Sequence, residues 1–565
     1  MMTTFWLLAV PVVYYGSYYF GRWIRHKIIL RTTGLADLPQ LGQSRPPDQK
    51  IKGTVVVCGG SIGGLLAARV CHDHFEKVVI VEPEAWLAEE DGRAAHAWTQ
   101  IHRRGRVMQY YSIQALLPLS FASWTRLFPN IEQECEKSDI RCLLADLKFL
   151  IWGLPIAAPF EDYGDHFPKT LYASRQSTET LLRRLVVGQK DQYPNIEWVV
   201  GTVTGVTADP NGMSRLKNVV VRTANGTTEI EATLVIDCTG PAQAGLKWLQ
   251  HAGYGFSSEG SSYRTGTLPL DQLSISYNQK VQYSTYIFQV PLELGRRLAT
   301  PTKWEEEGIF LVAFTDARVD RKYVAGQRIE NNQLQLCCGA WAPTEDLPRT
   351  LAEIKEFSHS MILSRPLPEW FFELLDLLDE AEDTMELHTV RCPPSTSVRF
   401  HQATNLPSNY IALADSTMRV NPIFGQGVTK ATLGAISLNN VLHDLQNRLT
   451  SVSESYRSTT TVPTLPDSFA KDFFTVQWSK ISPIWDGTRV FDYGWDTTVP
   501  LPGETLDFGA ALRWWQQNIL MLAMTDRQAA SAYWHTLMTM GPPTDMFHPR
   551  LVLKILWRRL RHGPA

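Results

Sequence analysis

The clearest hydrophobic pattern in the chain begins with the β-branched run Thr54 to Val57, which leads into Gly59-Gly60-Ser61-Ile62-Gly63-Gly64. Leu65 to Val70 then open a helical pattern, and a second apolar run, Val78 to Val81, ends on Glu82. Short apolar runs bounded by glycine predict buried strands, so the stretch reads strand, tight turn, helix, strand. Leu171 to Val187 predicts a helix entered at Ser174, with Leu181, Leu182 and Leu185 on its apolar face. Ile196 to Val206 and Val219 to Ile236 alternate apolar and polar residues around turns at Asp209-Pro210-Asn211-Gly212 and Asn225-Gly226, the pattern of a strand meander. It closes on the buried strand Leu234 to Ile236, followed by Asp237-Cys238-Thr239-Gly240 and a helix from Leu246. From Gly253 to Arg399 the extended runs lengthen, at Leu273 to Tyr277, Tyr283 to Val290, Ile309 to Phe314 and Gln333 to Trp341, with one helix near Thr350 to Leu363. Ile411 to Ala414 predicts a further buried strand, Val428 onward an apolar helix, and Phe469 to Ala565 is helical in pattern.

Two glycine turns carry the chemistry of this pattern. In the first, Gly59 permits a sharp turn and Gly64 close helix–strand packing, while Ser61 holds the third position of the pattern, where a glycine usually lets the backbone approach a pyrophosphate. The helix behind the turn offers unpaired N–H groups and a positive dipole end to phosphates. Glu82 follows at roughly the 20-residue distance from which a carboxylate reaches ribose hydroxyls. In the second, Asp415 ends the strand, Asn421-Pro422 stiffen a turn, and Gly425-Gln426-Gly427 precede Val428. Glycine-loop N–H groups at a helix start face an anion or a polarised carbonyl, and a strand-end aspartate accepts hydrogen bonds from a polyol. A helix start with a capping loop explains the glycines but not Asp415 together with Pro422. Between the two, Pro83 to Tyr111 holds Arg93, Arg103, Arg104 and Arg106, either a loop carrying arginines to phosphates or a solvated basic loop.

Composition changes this picture little. Length allows two or three domains, and 54 basic against 57 acidic residues give a net charge of -3, which points away from nucleic acid. The eight cysteines form no CxxC pair and several lie inside apolar runs, so they read as reduced core residues rather than a disulfide framework or zinc site. Eighteen tryptophans suit a flat apolar ligand or a membrane surface, although tryptophan is more often plain core. Met1 to Gly21 carries no charged side chain and is followed by Arg22, Arg25, Lys27 and Arg31, which predicts an N-terminal membrane anchor with the body in the cytosol, at the endoplasmic reticulum. The alternative for that segment is a buried helix. Leu551 to Arg561 reads either as a helix on a membrane surface or as one docked on the body with a basic outer face.

With both glycine stretches read, the chain resembles the FAD-dependent monooxygenases of the aromatic-hydroxylase and squalene-epoxidase-like superfamily, from Thr54 to about Leu445. GGSIGG with Glu82 is similar to the family's ADP-binding motif, and LVIDCTGPAQAGLKWL loosely to its middle motif, with Asp237-Cys238 in place of Asp-Gly. ALADSTMRVNPIFGQGVTKA resembles the motif in which an aspartate binds the ribityl chain and the next loop cups the isoalloxazine, with Ala414-Asp415 in place of Gly-Asp. The resemblance implies an α/β fold with a discontinuous Rossmann-like FAD-binding domain at 53–250 and 400–446. It also implies a β-sheet substrate domain at 251–399; outside its reach the residue patterns read as an anchor at 1–31, linkers at 32–52 and 447–468, and a helical C-terminal region at 469–565. FAD contacts are expected from Gly59, Ser61, Gly64, Glu82, Arg175, Asp415, Gly425, Gly427 and Val428; no catalytic residue and no metal is implied. The implied activity, with NAD(P)H as co-substrate, is transfer of one oxygen atom from O2 through a flavin C4a-hydroperoxide to a lipophilic secondary-metabolite intermediate. Alternatives are a flavin-dependent reductase of prenyl double bonds, a flavin halogenase, for which no lysine within the usual paired-tryptophan motif is found, and a non-catalytic membrane flavoprotein scaffold.

Overall fold

The computed structural model describes residues 19–189, 191–210, 212–255, 268–342, 346–455 and 464–562. The first predicted unit forms as read: strand β1 (Ile51–Cys58), helix α1 (Ile62–His74) and strand β2 (Phe75–Glu82). Helix α2 (Arg175–Val187), entered at Ser174, whose side chain accepts from the Ser177 N–H, precedes strand β3 (Ile196–Val200). Strands β4 (Leu234–Asp237) and β5 (Tyr410–Ala412) complete a five-stranded parallel sheet in the order β5-β4-β1-β2-β3. Every strand near the centre is buried on both faces, which is why these runs are continuously apolar rather than alternating. Residues 51 and 412 thus share one sheet, and the unit is discontinuous in sequence. Helix α3 (Gln426–Ser455) packs on α1 and on helix α4 (Phe469–Asp492).

A seven-stranded sheet gathers Gln282–Gln289, Ile309–Phe314, Lys322–Arg328, Gln333–Ala340 and Glu386–Arg391 with two short strands, Phe149–Ile151 and Leu154–Pro155. Its outer face, with Tyr286, Phe288, Leu334 and Leu336, is covered by the helices Leu351–His359 and Glu369–Leu377. Its inner face carries Tyr283, Phe314, Tyr323, Cys337 and Val390, and it packs against Phe424, Trp341, Trp495 and Trp534. Many of the tryptophans are therefore plain core: Trp124, Trp304, Trp341, Trp485, Trp495 and Trp534 are all fully buried. The eight cysteines are free thiols, all buried except the half-buried Cys142.

The N-terminal segment corrects the sequence reading. Residues 1–18, most of the expected anchor, lie outside the described residues, and no helix among the described residues is long and apolar enough to cross a membrane. The single-pass anchor and its endoplasmic-reticulum localisation are overturned by that finding. Residues 19–32 form a helix, and Arg25, read as part of a flanking basic cluster, donates to both carboxylate oxygens of Asp545 at 2.8 Å. The next stretch, read as a linker, is packed instead: Thr33, Asp37, Leu41 and Arg45 are buried, and Lys480 pairs with Asp37 at 2.7 Å. Its proline and glycine shape turns, Pro39 within the 3-10 helix Leu35–Gln40 and Gly42 at φ +76°. At the other linker, α3 runs to Ser455 and residues 456–463 lie outside the described residues. The final helix, Pro549–His562, docks through the buried Leu551 and Ile555, yet leaves Leu553, Leu556 and Leu560 exposed.

Candidate functional site

The β1–α1 turn is built around glycines that no other residue can replace. Gly59 adopts φ +117°, and a Cβ there would lie 2.5 Å from the Cys238 carbonyl oxygen. At Gly64 a Cβ would lie 1.8 Å from the Gly59 carbonyl oxygen, so the helix start and the strand end touch backbone to backbone. Glu82, at the tip of β2, is buried and accepts the Gly60 N–H at 2.8 Å and the Glu84 N–H at 3.3 Å.

Ser61, the departure from the glycine pattern, turns out to be a connector. It occupies the N-cap position of α1 but makes no capping bond. Its hydroxyl donates to Glu179 at 2.7 Å and accepts from Arg175 at 3.1 Å. Glu179 lies one turn beyond Arg175 on α2 and also accepts from Arg104 at 2.5 Å and Arg183 at 2.6 Å. Burial pushes the Glu179 carboxyl up, but Arg104, Arg175, Arg183 and the Ser61 hydroxyl outweigh it and bring it down to about 2. Arg104 also pairs with Glu82 at 3.4 Å and with Glu84. Of the two readings left open for the Pro83–Tyr111 loop, Arg104 follows neither solvated nor mobile behaviour: it is buried inside this carboxylate network. The Arg175 Nε is buried with no partner among the described residues.

The second turn lies against the first. A Cβ on Gly63 would come within 2.8 Å of the Ala414 methyl, so the two motifs, hundreds of residues apart in sequence, are in contact. Ala414 sits at φ +55°, the left-handed region in which glycine is the ordinary choice. Asp415 is partly exposed, with Oδ1 2.6 Å from Lys430 Nζ, and Lys430 itself is buried and donates to the Met418 carbonyl. Asn421 accepts the Ile423 N–H at 3.3 Å, Gly425 takes φ +65°, Gly427 faces open space, and Val428 is buried. Asp237 of the middle motif is a structural acceptor: it receives Thr239 N–H and hydroxyl, the Gly245 N–H, and the Tyr410 and Ser416 hydroxyls.

The loop is also tied to the sheet domain. Buried Asp492, at the end of α4, accepts from Asn421 at 2.7 Å, Tyr277 at 2.8 Å and Trp341 at 3.1 Å. Burial pushes its carboxyl up to about 6, against the pull of those three donors. Beside it, Phe424 packs on Phe491 at 4.6 Å and Phe314 at 5.8 Å, and Trp341 stacks on Trp495 at 3.8 Å. Sequence reasoning missed Glu179, Lys430 and Asp492. The first was legible as an acid one turn from both Arg175 and Arg183, and the second as a cation inside the apolar run Val428 to Leu442; Asp492 left no such signal.

No family model matches the chain, and no curated protein matches it in sequence. Among solved structures it is similar to a flavoprotein/dehydrogenase from Cytophaga hutchinsonii, with a TM-score of 0.54 and 12% identity over 90% of this chain and 100% of that one. The chain has the fold of that flavoprotein. It also matches the p-nitrophenol 4-monooxygenase PnpA from Pseudomonas putida DLL-E4, at a TM-score of 0.49 and 16% identity over 87% of this chain and 99% of that one. The expected α/β class, with a parallel Rossmann-like sheet, a second sheet and a helical C-terminal region, is thus met.

Proposed function

We propose that this chain is an FAD-dependent monooxygenase that uses NAD(P)H and O2 to insert one oxygen atom into a lipophilic small molecule. The observation that carries the reading is the contact of the two glycine turns at Gly63 and Ala414 within one parallel sheet. The residues suit an extended dinucleotide: the β1–α1 turn leaves no room for a Cβ at Gly59, Gly60 or Gly64, Gly427 borders open space, and Arg175 keeps a buried N–H with no acceptor among the described residues. Glu82 would hold the ribose of the ADP half, with the Gly59–Gly64 turn, the start of α1 and Arg175 at the pyrophosphate. Asp415, oriented by Lys430, would hold the ribityl hydroxyls, and the N–H groups of Gly427 and Val428 would face the ring, while Gly425 turns the loop at φ +65° with its own N–H donated to the Pro422 carbonyl. Bound FAD supplies the redox and oxygen chemistry. The protein contributes position and dryness, since Phe314, Trp341, Phe424, Phe491 and Trp495 form a water-excluding aromatic wall beside the loop.

The test is direct. Purified protein is expected to be yellow, to bleach on adding NADPH or NADH, and to transfer label from 18O2 into product. Colourless protein that cannot be reconstituted with FAD overturns the reading. A product gaining two hydrogens and no label replaces it with the reductase.

A further inference from the structure

Glu330 stands in the seven-stranded sheet, yet its carboxylate is bonded to the start of helix α2. It is 2% exposed. Oε2 accepts the Ser174 N–H at 3.0 Å, and Oε1 accepts the hydroxyls of Ser174 and Ser177, each at 2.5 Å. The Ser174 hydroxyl in turn accepts the Ser177 N–H at 3.0 Å and caps the first turn of α2. A buried carboxylate therefore sits at the positive end of this helix dipole, held by three donors from one helix start. Between those donors lies Arg175, whose side chain reaches Ser61 of the β1–α1 turn.

Glu330 is itself fixed in place. It lies at the tip of the hairpin formed by Lys322–Arg328 and Gln333–Ala340, whose two central residues, Asn331 and Asn332, adopt φ +57° and +50°. A two-residue turn with both residues at positive φ matches the twist of its strands. Asp139 accepts the Asn331 N–H at 2.6 Å, and Arg141 donates to the Arg328 and Ile329 carbonyls at 2.7 and 3.2 Å. At its open end the same hairpin carries Tyr323, whose ring lies 5.4 Å from that of Trp341 in the aromatic wall. One hairpin thus meets the aromatic wall at its base and the start of α2 at its tip.

We propose that Glu330 is a positioning residue: it sets the entry of α2, and through it the Arg175 guanidinium that would meet the pyrophosphate. The proposal rests on the dinucleotide site assigned above. A helix that needs only an N-cap already has one in Ser174, so the cap does not account for a second, buried carboxylate brought in from the sheet. Without it the Ser174 N–H and the two hydroxyls lose their common acceptor, and the backbone that aims Arg175 loses its support.

The test is a double-mutant cycle on the holoprotein with Glu330→Gln, Arg175→Met and the pair. Release of FAD on dilution is read as recovered flavin fluorescence, and the melting temperature is read beside it. Glu330→Gln is expected to weaken FAD about tenfold on its own, but by about twofold or less once Arg175 is Met. Its effect on melting temperature is expected to be the same in both backgrounds. An equal loss of affinity in both backgrounds, or a loss in neither, overturns the positioning role. If Glu330→Gln does not fold, Ser177→Ala, which removes one of the three bonds, takes its place in the cycle with a smaller expected loss and the same criterion. ADP titrated by calorimetry separates this proposal from the flavin reading. Coupling between Glu330 and Arg175 toward ADP, in a protein that holds no flavin, overturns the FAD assignment and leaves the positioning role standing. Binding of neither FAD nor ADP overturns both.

Discussion

Ala414 carries a backbone conformation at φ +55° that costs a non-glycine residue about 1 kcal/mol or more. Ala414→Gly is expected to raise stability by roughly 1 kcal/mol, read as a higher urea midpoint with unchanged slope. Asp415→Ala has a different signature. A charge-assisted hydrogen bond to a polyol contributes roughly 1.5 to 3 kcal/mol, so FAD retention is expected to weaken about tenfold to a hundredfold, with a lower melting temperature as well because buried Lys430 loses its counter-charge. Unchanged flavin occupancy after gel filtration removes Asp415 from the site. Asp492 sets a pH dependence. Its folded value of about 6 lies above the unfolded value, so the folded protein holds that proton more tightly. Stability from this group is greatest below about pH 4 and declines as pH rises through about 6. In Asp492→Asn the carbonyl oxygen still accepts from Asn421 and Trp341, and the amide donates to the Tyr277 hydroxyl. The decline is expected to vanish and neutral-pH stability to rise by roughly 3 kcal/mol, measured by urea unfolding from pH 4 to 7.5. A slope that survives in the variant assigns it to another group.

Helix α2 shows how an element gathers charge that its sequence spaces out. Arg175, Glu179 and Arg183 repeat every four residues, which places them on one face. That much follows from helical geometry alone. The convergence of Ser61 and Arg104 on the same carboxylate does not, because they arrive from the β1–α1 turn and the loop after β2. Glu179 is depressed to about 2, so its stabilisation is present above the unfolded carboxyl value and is lost as pH falls toward 2. Glu179→Gln leaves buried guanidinium groups without their counter-charge and is expected to cost roughly 3 to 5 kcal/mol, read as a lower melting temperature at pH 7. The glycine turns were legible because their constraint is local: Gly59 and Gly425 sit at positive φ, and Gly64 touches backbone. Ser61 read as a weakened glycine because its partner lies 118 residues away.

At the scale of the molecule, residues 33–45 are part of the body. Removing residues 1–50 would uncover the core around Leu41 and leave buried Lys480 without Asp37. That deletion is expected to lower the melting temperature sharply; an unchanged melting temperature would contradict the burial of Leu41 and the Asp37–Lys480 pair. By itself the sequence determined the strand–turn–helix units, both glycine turns and the α/β class, because apolar periodicity and glycine sterics act within a few residues. Only the tertiary structure decided that residues 33–45 pack rather than link, that Arg104 turns inward, and that Asp492 ties the Asn421 loop to Tyr277 and Trp341. Those outcomes depend on which distant groups supply the partner for a buried charge, and a linear pattern carries no record of that pairing.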